Sequence, residues 1–138
     1  MSRLLRTLHL GVLCLLLAAS ACRAESRIFS ANAYAAKGDG TTIDTGAIQA
    51  ALDAAARAGH AVVSFAPGTY LTGAIFVKSG TELRLDAGVT LRGVRTLDGY
   101  PIMPTRVAGI EMPWPAALVN IYGQHDAAIT GPGTIDGR

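Results

Sequence analysis

The chain has 138 residues, room for one domain, with 50% apolar and 16% charged residues and a formal net charge of +2. Removing residues 1–24 deletes Arg3, Arg6 and Arg23 but no acidic residue, which leaves nine basic side chains against ten acidic ones, net −1. The basic balance is therefore a targeting feature and excludes nucleic-acid binding by bulk charge as a role for the remaining chain.

Met1 to Ala24 reads as a signal peptide. Arg3 and Arg6 form a positive start, Leu8 to Ala18 an apolar stretch broken only by His9 and Gly11, and Ala19-Ser20-Ala21 a small-residue end. The apolar stretch is shorter than the roughly 20 residues of a bilayer span. Cleavage before Cys22 and cleavage after Ala24 both satisfy the small-residue rule. A lipoprotein signal, with Cys22 as an acylated first residue, is the other reading. The expected location is secreted or periplasmic, or the outer membrane if Cys22 carries lipid. Both cysteines, Cys14 and Cys22, lie here, so the rest of the chain has no disulfide, thiol nucleophile or Cys-based metal site.

Residues 25–138 form the expected domain. Arg27 to Asn32 is an extended lead-in. Tyr34-Ala35-Ala36-Lys37-Gly38-Asp39-Gly40 is a turn region in which Asp39 can bond nearby backbone. A helix is predicted over about 44–58. Asp44 or Thr45 is its N-cap, Gln49 a capping-box partner and Gly59 its C-terminal stop. Ala47, Ile48, Ala51, Leu52, Ala55 and Ala56 make its apolar stripe. Gln49, Asp53 and Arg57 lie opposite, with Asp53 and Arg57 as an i,i+4 pair.

Beyond Gly59 the period changes from 3.6 to 2. Short strands are predicted at Ala61 to Phe65, Thr69 to Thr72, Ala74 to Lys78, Glu82 to Leu85 and Val89 to Arg92. Residues 96–115 hold Pro101, Pro104, Pro113, Pro115 and the only tryptophan, Trp114, and read as a projecting loop. Strands resume at Leu118 to Tyr122, Ala127 to Thr130 and Gly133 to Asp136.

One frame recurs: Phe65-Ala66-Pro67-Gly68-Thr69-Tyr70-Leu71-Thr72-Gly73, then Leu85-Asp86-Ala87-Gly88-Val89-Thr90-Leu91-Arg92-Gly93, then Ile129-Thr130-Gly131-Pro132-Gly133-Thr134-Ile135-Asp136-Gly137. The offsets of 20 and 44 match one and two rungs of a solenoid of 20–22 residues per rung, three to five partial rungs in all. An all-β coil follows, and the helix before it fits a cap over its first rung.

These segments resemble the N-terminal portion of glycoside hydrolase family 28, the polygalacturonase-type pectinases. The resemblance covers nearly all of the chain after the leader and is weakest in the Pro-rich loop. The turn region and helix are shared with many β-helix proteins. Gly68-Thr69-Tyr70-Leu71-Thr72-Gly73 and Gly131-Pro132-Gly133-Thr134-Ile135-Asp136-Gly137 point more narrowly to family 28. Gly46 departs from the family, which more often has a helix-favouring residue there. The resemblance implies a right-handed parallel β-helix of the pectin-lyase type. It also implies inverting hydrolysis of α-1,4-galacturonosyl links, with pectic polysaccharide as partner and no cofactor.

Such hydrolysis needs one carboxylic acid and one or two carboxylates across the scissile bond. In the family these lie in Asn-Thr-Asp, Asp-Asp, Gly-His-Gly and Arg-Ile-Lys segments, and none of the four occurs in these 138 residues. No catalytic residue and no metal ligand is assigned, and the substrate-binding residues stay open. His60 reads as solvated rather than catalytic, His125-Asp126 as a turn between rungs, and Asp136 as bonded to turn backbone. Gly38-Asp39-Gly40 lacks the Lys-Ser/Thr of a phosphate loop. Arg84 and Arg92, on neighbouring rungs, are either a basic stripe for an acidic glycan or a solvated face. Trp114 and Tyr122 could stack on sugar rings; the plainer role for Trp114 is to staple the loop to the coil. The expected product is thus an inactive stretch of an exported pectinase. A non-catalytic carbohydrate-binding or tail-spike-like module, or a pectate-lyase-like enzyme, is the alternative.

Overall fold

Alternating apolar residues put one row of side chains on each strand face, and short strands can bury that row by winding around a common axis. The computed structural model, which describes residues 26–137, has this arrangement. The leader over residues 1–24, Cys22 included, lies outside the described residues.

The strands in chain order are β1 (Arg27–Ser30), β2 (Asp39–Ile43), β3 (Ala61–Ser64), β4 (Gly68–Thr72), β5 (Ile75–Phe76), β6 (Thr81–Arg84) and β7 (Val89–Gly93). They continue with β8 (Ile102–Val107), β9 (Ile110–Pro115), β10 (Val119–Asn120), β11 (Ala128–Thr130) and β12 (Thr134–Asp136). The helix α1 spans Thr45–Ala58. Three parallel sheets, β1-β3-β6-β11, β2-β4-β7-β12 and β5-β10, form the sides of a right-handed β-helix. One rung is β3-β4-β5, the next β6-β7-β10, the last β11-β12.

The core is a set of stacked ladders. Val63 pairs with Leu83 and Leu83 with Ile129; Tyr70 pairs with Leu91 and Leu91 with Ile135; Ile75 pairs with Val119. Val63, Leu83, Tyr70, Leu91 and Ile75 are fully buried. Each such side chain contributes about 1.5–3 kcal/mol by leaving water. Ile129 and Ile135 occupy the same inward rows on the last rung, yet remain 42% and 46% exposed.

Two features of the repeat differ from the sequence expectation. The nine-residue frame aligns Leu71 with Leu91, but Tyr70 is the residue that pairs with Leu91. Ala61 pairs with Thr81, 20 residues on, whereas Gly68 pairs with Val89, 21 residues on. The turn into β7 is one residue longer than the turn into β4. With a side-chain period of two, that residue decides which neighbour turns inward. The second difference concerns the offset of 44. Thr90 pairs directly with Thr134 and Ile75 with Val119, so this offset is one rung enlarged by an excursion, not two rungs.

The excursion is an ordered antiparallel hairpin rather than the predicted loop, with Met103 opposite Trp114 and Val107 opposite Ile110. Its two-residue turn is Ala108-Gly109, both at positive φ. The Ala116 amide donates to the Pro101 carbonyl, so alternation places Pro104, Pro113 and Pro115 at non-hydrogen-bonded positions. Their nitrogens point away from the partner strand, and the missing N–H leaves no gap in the ladder.

Helix α1 buries Ile48, Ala51, Leu52 and Ala55 against the first rungs. Its polar stripe does not serve as the predicted caps. Asp44 occupies the N-cap position, but its buried carboxylate accepts from the Lys37 and Gly38 amides at 2.7 and 3.0 Å. Thr45 Oγ1 accepts from the Gly73 amide at 2.8 Å, the Gln49 amide engages Phe76, and Asp53 pairs with Lys78 at 2.7 Å rather than with Arg57. Spaced four apart on one helix face, these three side chains meet successive backbone and side-chain groups along β4–β5. They thereby close a sheet edge that would otherwise lack partners.

Gly38 and Gly68 seat the first rung. Gly38 has φ +67°, and a Cβ there would lie 2.7 Å from the Tyr70 ring; one on Gly68 would lie 2.6 Å from the Gly38 carbonyl oxygen. Beneath them the Tyr70 hydroxyl donates to the Ala66 carbonyl at 2.8 Å and accepts from Asn32 Nδ2 at 2.9 Å.

Candidate functional site

Catalysis of glycosidic cleavage would need free carboxylates facing a cleft. Asp39 Oδ1 accepts from the Thr41 and Thr42 amides at 2.9 and 2.7 Å, and Oδ2 from the Thr42 hydroxyl at 2.7 Å. The Thr42 backbone bond, with those from Thr41, holds the Asp39 carboxyl far below the usual carboxylate range. Asp44 anchors the turn above. Partial burial tends to raise the Asp53 pKa, but the Lys78 ammonium, the Gln49 amide and the Arg57 charge outweigh it and keep it below the ordinary value. Glu82 accepts from the Thr130 hydroxyl at 2.6 Å across one rung step. Asp86 lies 3.6 Å from Arg84. These five acidic residues are thus spread around the coil, each beside a backbone or side-chain partner. No cluster of three or more His, Cys, Asp or Glu fit for a metal exists among the described residues.

The positions singled out in the sequence fall as follows. His60 is exposed, at φ 47°, just after α1. His125 and Asp126 form the predicted turn: His125 N–H donates to Ser79 Oγ at 3.1 Å, and the imidazole Nδ1 lies 3.1 Å from the Asp126 carboxylate. Asp136 pairs with Arg92 at 3.0 Å, an ion pair across the rungs that the sequence reading did not include. Arg84 and Arg92 make no shared stripe. They lie in β6 and β7 of one rung, on different sheets, each beside a carboxylate.

Trp114 and Tyr122 do come together. Both line a cleft of about 1080 Å³ between the hairpin and the coil. The hairpin supplies Met103, Thr105, Val107 and Trp114 from one face of its ladder, and the coil supplies Val119 to Tyr122. Trp114 is 49% and Tyr122 58% exposed, so neither ring is consumed by packing. Arg95 is the single charged residue of the lining among the described residues. Tyr100 also lines it; burial raises its phenol pKa, and its hydroxyl donates to the Val94 carbonyl at 3.0 Å. This cleft is not legible in the amino-acid pattern, because the hairpin that forms one wall reads as a loop.

Comparison with known proteins bears on this geometry. Residues 28–93 match the family model described as rhamnogalacturonase A/epimerase, pectate lyase-like. The chain is 34% identical over 123 residues to an exo-poly-alpha-D-galacturonosidase of Dickeya chrysanthemi, covering 83% of this chain and 20% of that protein. It is 33% identical over 117 residues to alginate lyase 7 of Azotobacter vinelandii, covering 75% of this chain and 13% of that protein. Among solved structures, the family 28 exopolygalacturonase of Yersinia enterocolitica superposes with a TM-score of 0.74 at 33% identity, over 83% of this chain and 21% of that one. The chain thus spans about a fifth or less of the length of these relatives. With its cap, its parallel rungs and these matches, it is similar to the polygalacturonase-type pectinases of glycoside hydrolase family 28 and corresponds to an N-terminal portion of their β-helix.

Proposed function

We propose that the protein is exported and contributes the capped first rungs of a glycosidase that hydrolyses α-1,4-galacturonosyl links in pectic polysaccharide with inversion. Residues 1–24 would direct export, with plain secretion or the periplasm as destination, or the outer membrane if Cys22 is acylated. Residues 25–138 would form scaffold and cleft wall, without catalytic groups of their own. One observation carries this reading: Asp39, Asp44, Asp53, Glu82 and Asp136 are each engaged in holding turns, helix or rungs together.

The test is release of reducing ends from polygalacturonate. The 138-residue chain is expected to release none. Sustained turnover by it would place the chemistry on residues assigned here to structure. The product of the full reading frame is expected to turn over, with the new anomeric centre inverted by proton NMR. A second reading, an eliminase acting on a uronate polymer, is favoured by the match to an alginate lyase. Unsaturated products absorbing near the ultraviolet would select it.

A further inference from the structure

The cleft beside the hairpin is furnished for a particular ligand. Its lining is mostly apolar, its two most exposed rings are Trp114 and Tyr122, and its single charge among the described residues is the cation Arg95. Arg95 is exposed and has no hydrogen bond or ion pair with any described residue, unlike Arg84, Arg92 and Arg106. The carboxylate Glu111 lies opposite Arg106 in the ladder and lines the other side of the hairpin, so no acid opposes Arg95 within the cleft. Flat rings present a face to the apolar side of a sugar ring, and a free guanidinium binds a carboxylate through paired N–H donors. Neutral sugars would use the rings and leave the cation idle. An acidic sugar uses both.

We propose that Trp114, Tyr122 and Arg95 form a binding subsite for a uronic acid residue of a polysaccharide chain. The choice of galacturonate as that residue rests on the pectinase reading above. The subsite itself depends only on the hairpin wall and the coil, and it positions ligand without taking part in bond cleavage.

Trp114 is the sole tryptophan, so its emission reports this wall without background. The full chain is titrated with a galacturonate trisaccharide and, separately, with a neutral galactose trisaccharide. A saturable change in emission with the acidic sugar is expected, and a clearly weaker response with the neutral one. Arg95→Gln should weaken binding of the acidic sugar about tenfold, the scale of one lost charge-assisted pair. Tyr122→Leu should weaken binding of both sugars. Calorimetry on Trp114→Phe, which retains a ring, should still detect binding. A flat titration, equal response to both sugars, or unchanged affinity in Arg95→Gln overturns the proposal, provided circular dichroism shows the variant folded as the parent; Arg95 is exposed and unpartnered, so that condition is expected to hold. The readout is binding, not turnover. Binding without hydrolysis by the full reading frame keeps the subsite and removes the pectinase reading, and hydrolysis with a silent Trp114 does the reverse.

Discussion

The side chain of Gln49 stands in for a strand beside Phe76. Its Oε1 accepts from the Phe76 N–H at 2.9 Å while its Nε2 donates to the Phe76 carbonyl at 3.1 Å. On its other side β5 is held by β10, where the Val77 amide donates to the Asn120 carbonyl at 2.9 Å. One amide thus satisfies the first edge of that sheet. Gln49→Ala is expected to leave both Phe76 groups without a protein partner and to cost about 1–3 kcal/mol. Gln49→Glu should cost at least as much, because it removes the donor and sets a carboxylate beside Asp53. Urea unfolding of each variant at neutral pH measures this; a loss below about 0.5 kcal/mol in Gln49→Ala would count against the edge role.

Two glycines should respond in opposite directions. Gly38→Ala places a methyl 2.7 Å from the buried Tyr70 ring at φ +67° and is expected to destabilise by more than about 2 kcal/mol. Gly46 lies in the first turn of α1 with open space around it, so Gly46→Ala should stabilise by up to about 1 kcal/mol. Unfolding midpoints that shift the same way in both would refute this account.

Asp53 gives the cap a dependence on acid. Its folded pKa lies below the ordinary value of 3.8, so the folded state favours the charged form. The stability this contributes is present above about pH 4 and is lost as pH falls through the folded pKa. The Lys78–Asp53 pair is partly exposed, with side-chain exposures of 46% and 33%, so the contribution should be at most about 1 kcal/mol and should shrink in high salt. Asp53→Asn is expected to flatten that part of a stability–pH curve between pH 5 and 2, a window set by the lowered pKa. An unchanged curve would show that the pair contributes nothing.

The last rung should drive self-association of this chain when it is produced by itself. Ile129 and Ile135 continue the rows of Leu83 and Leu91 but stay 42% and 46% exposed, and β11 and β12 each have a partner on one side only. Exposed strand edges with apolar rows template further pairing. Size-exclusion chromatography is expected to show concentration-dependent species larger than a monomer, and Ile129→Lys with Ile135→Lys should shift them toward monomer. A monodisperse, cooperatively melting monomer of the parent chain would contradict this.

Much of the scaffold was legible because it rests on local periodicity. The helix predicted over about 44–58 is Thr45–Ala58, and the alternation at Thr81 to Arg84 marks β6 correctly. What escaped the sequence depends on contacts distant along the chain. Asp44 and Gln49 carry cap-like spacing, yet Asp44 turns to the Lys37–Gly38 backbone and Gln49 to Phe76. The frame shared by Leu71 and Leu91 hid an extra turn residue, so Tyr70 took the inward place. Ala108-Gly109 lacks the Asn or Asp that usually announces a two-residue hairpin, and the surrounding prolines argue against strands unless their ladder positions are known. The cleft between hairpin and coil was hidden for the same reason.

The enlarged rung has a consequence for how this wall can change. Joining Ile75 to Val119 closes 44 residues where an ordinary rung closes 20. Loop-closure entropy rises so slowly with length that the difference is about 0.7 kcal/mol. The hairpin satisfies its own backbone through β8 and β9, and the strands on either side of it stack as though it were not there. It behaves as an exchangeable cassette: grafted, trimmed or replaced between Pro101 and Ala116, with the Ala74 amide still donating to the Gly99 carbonyl, it would alter what the cleft admits while leaving the coil beneath it in register.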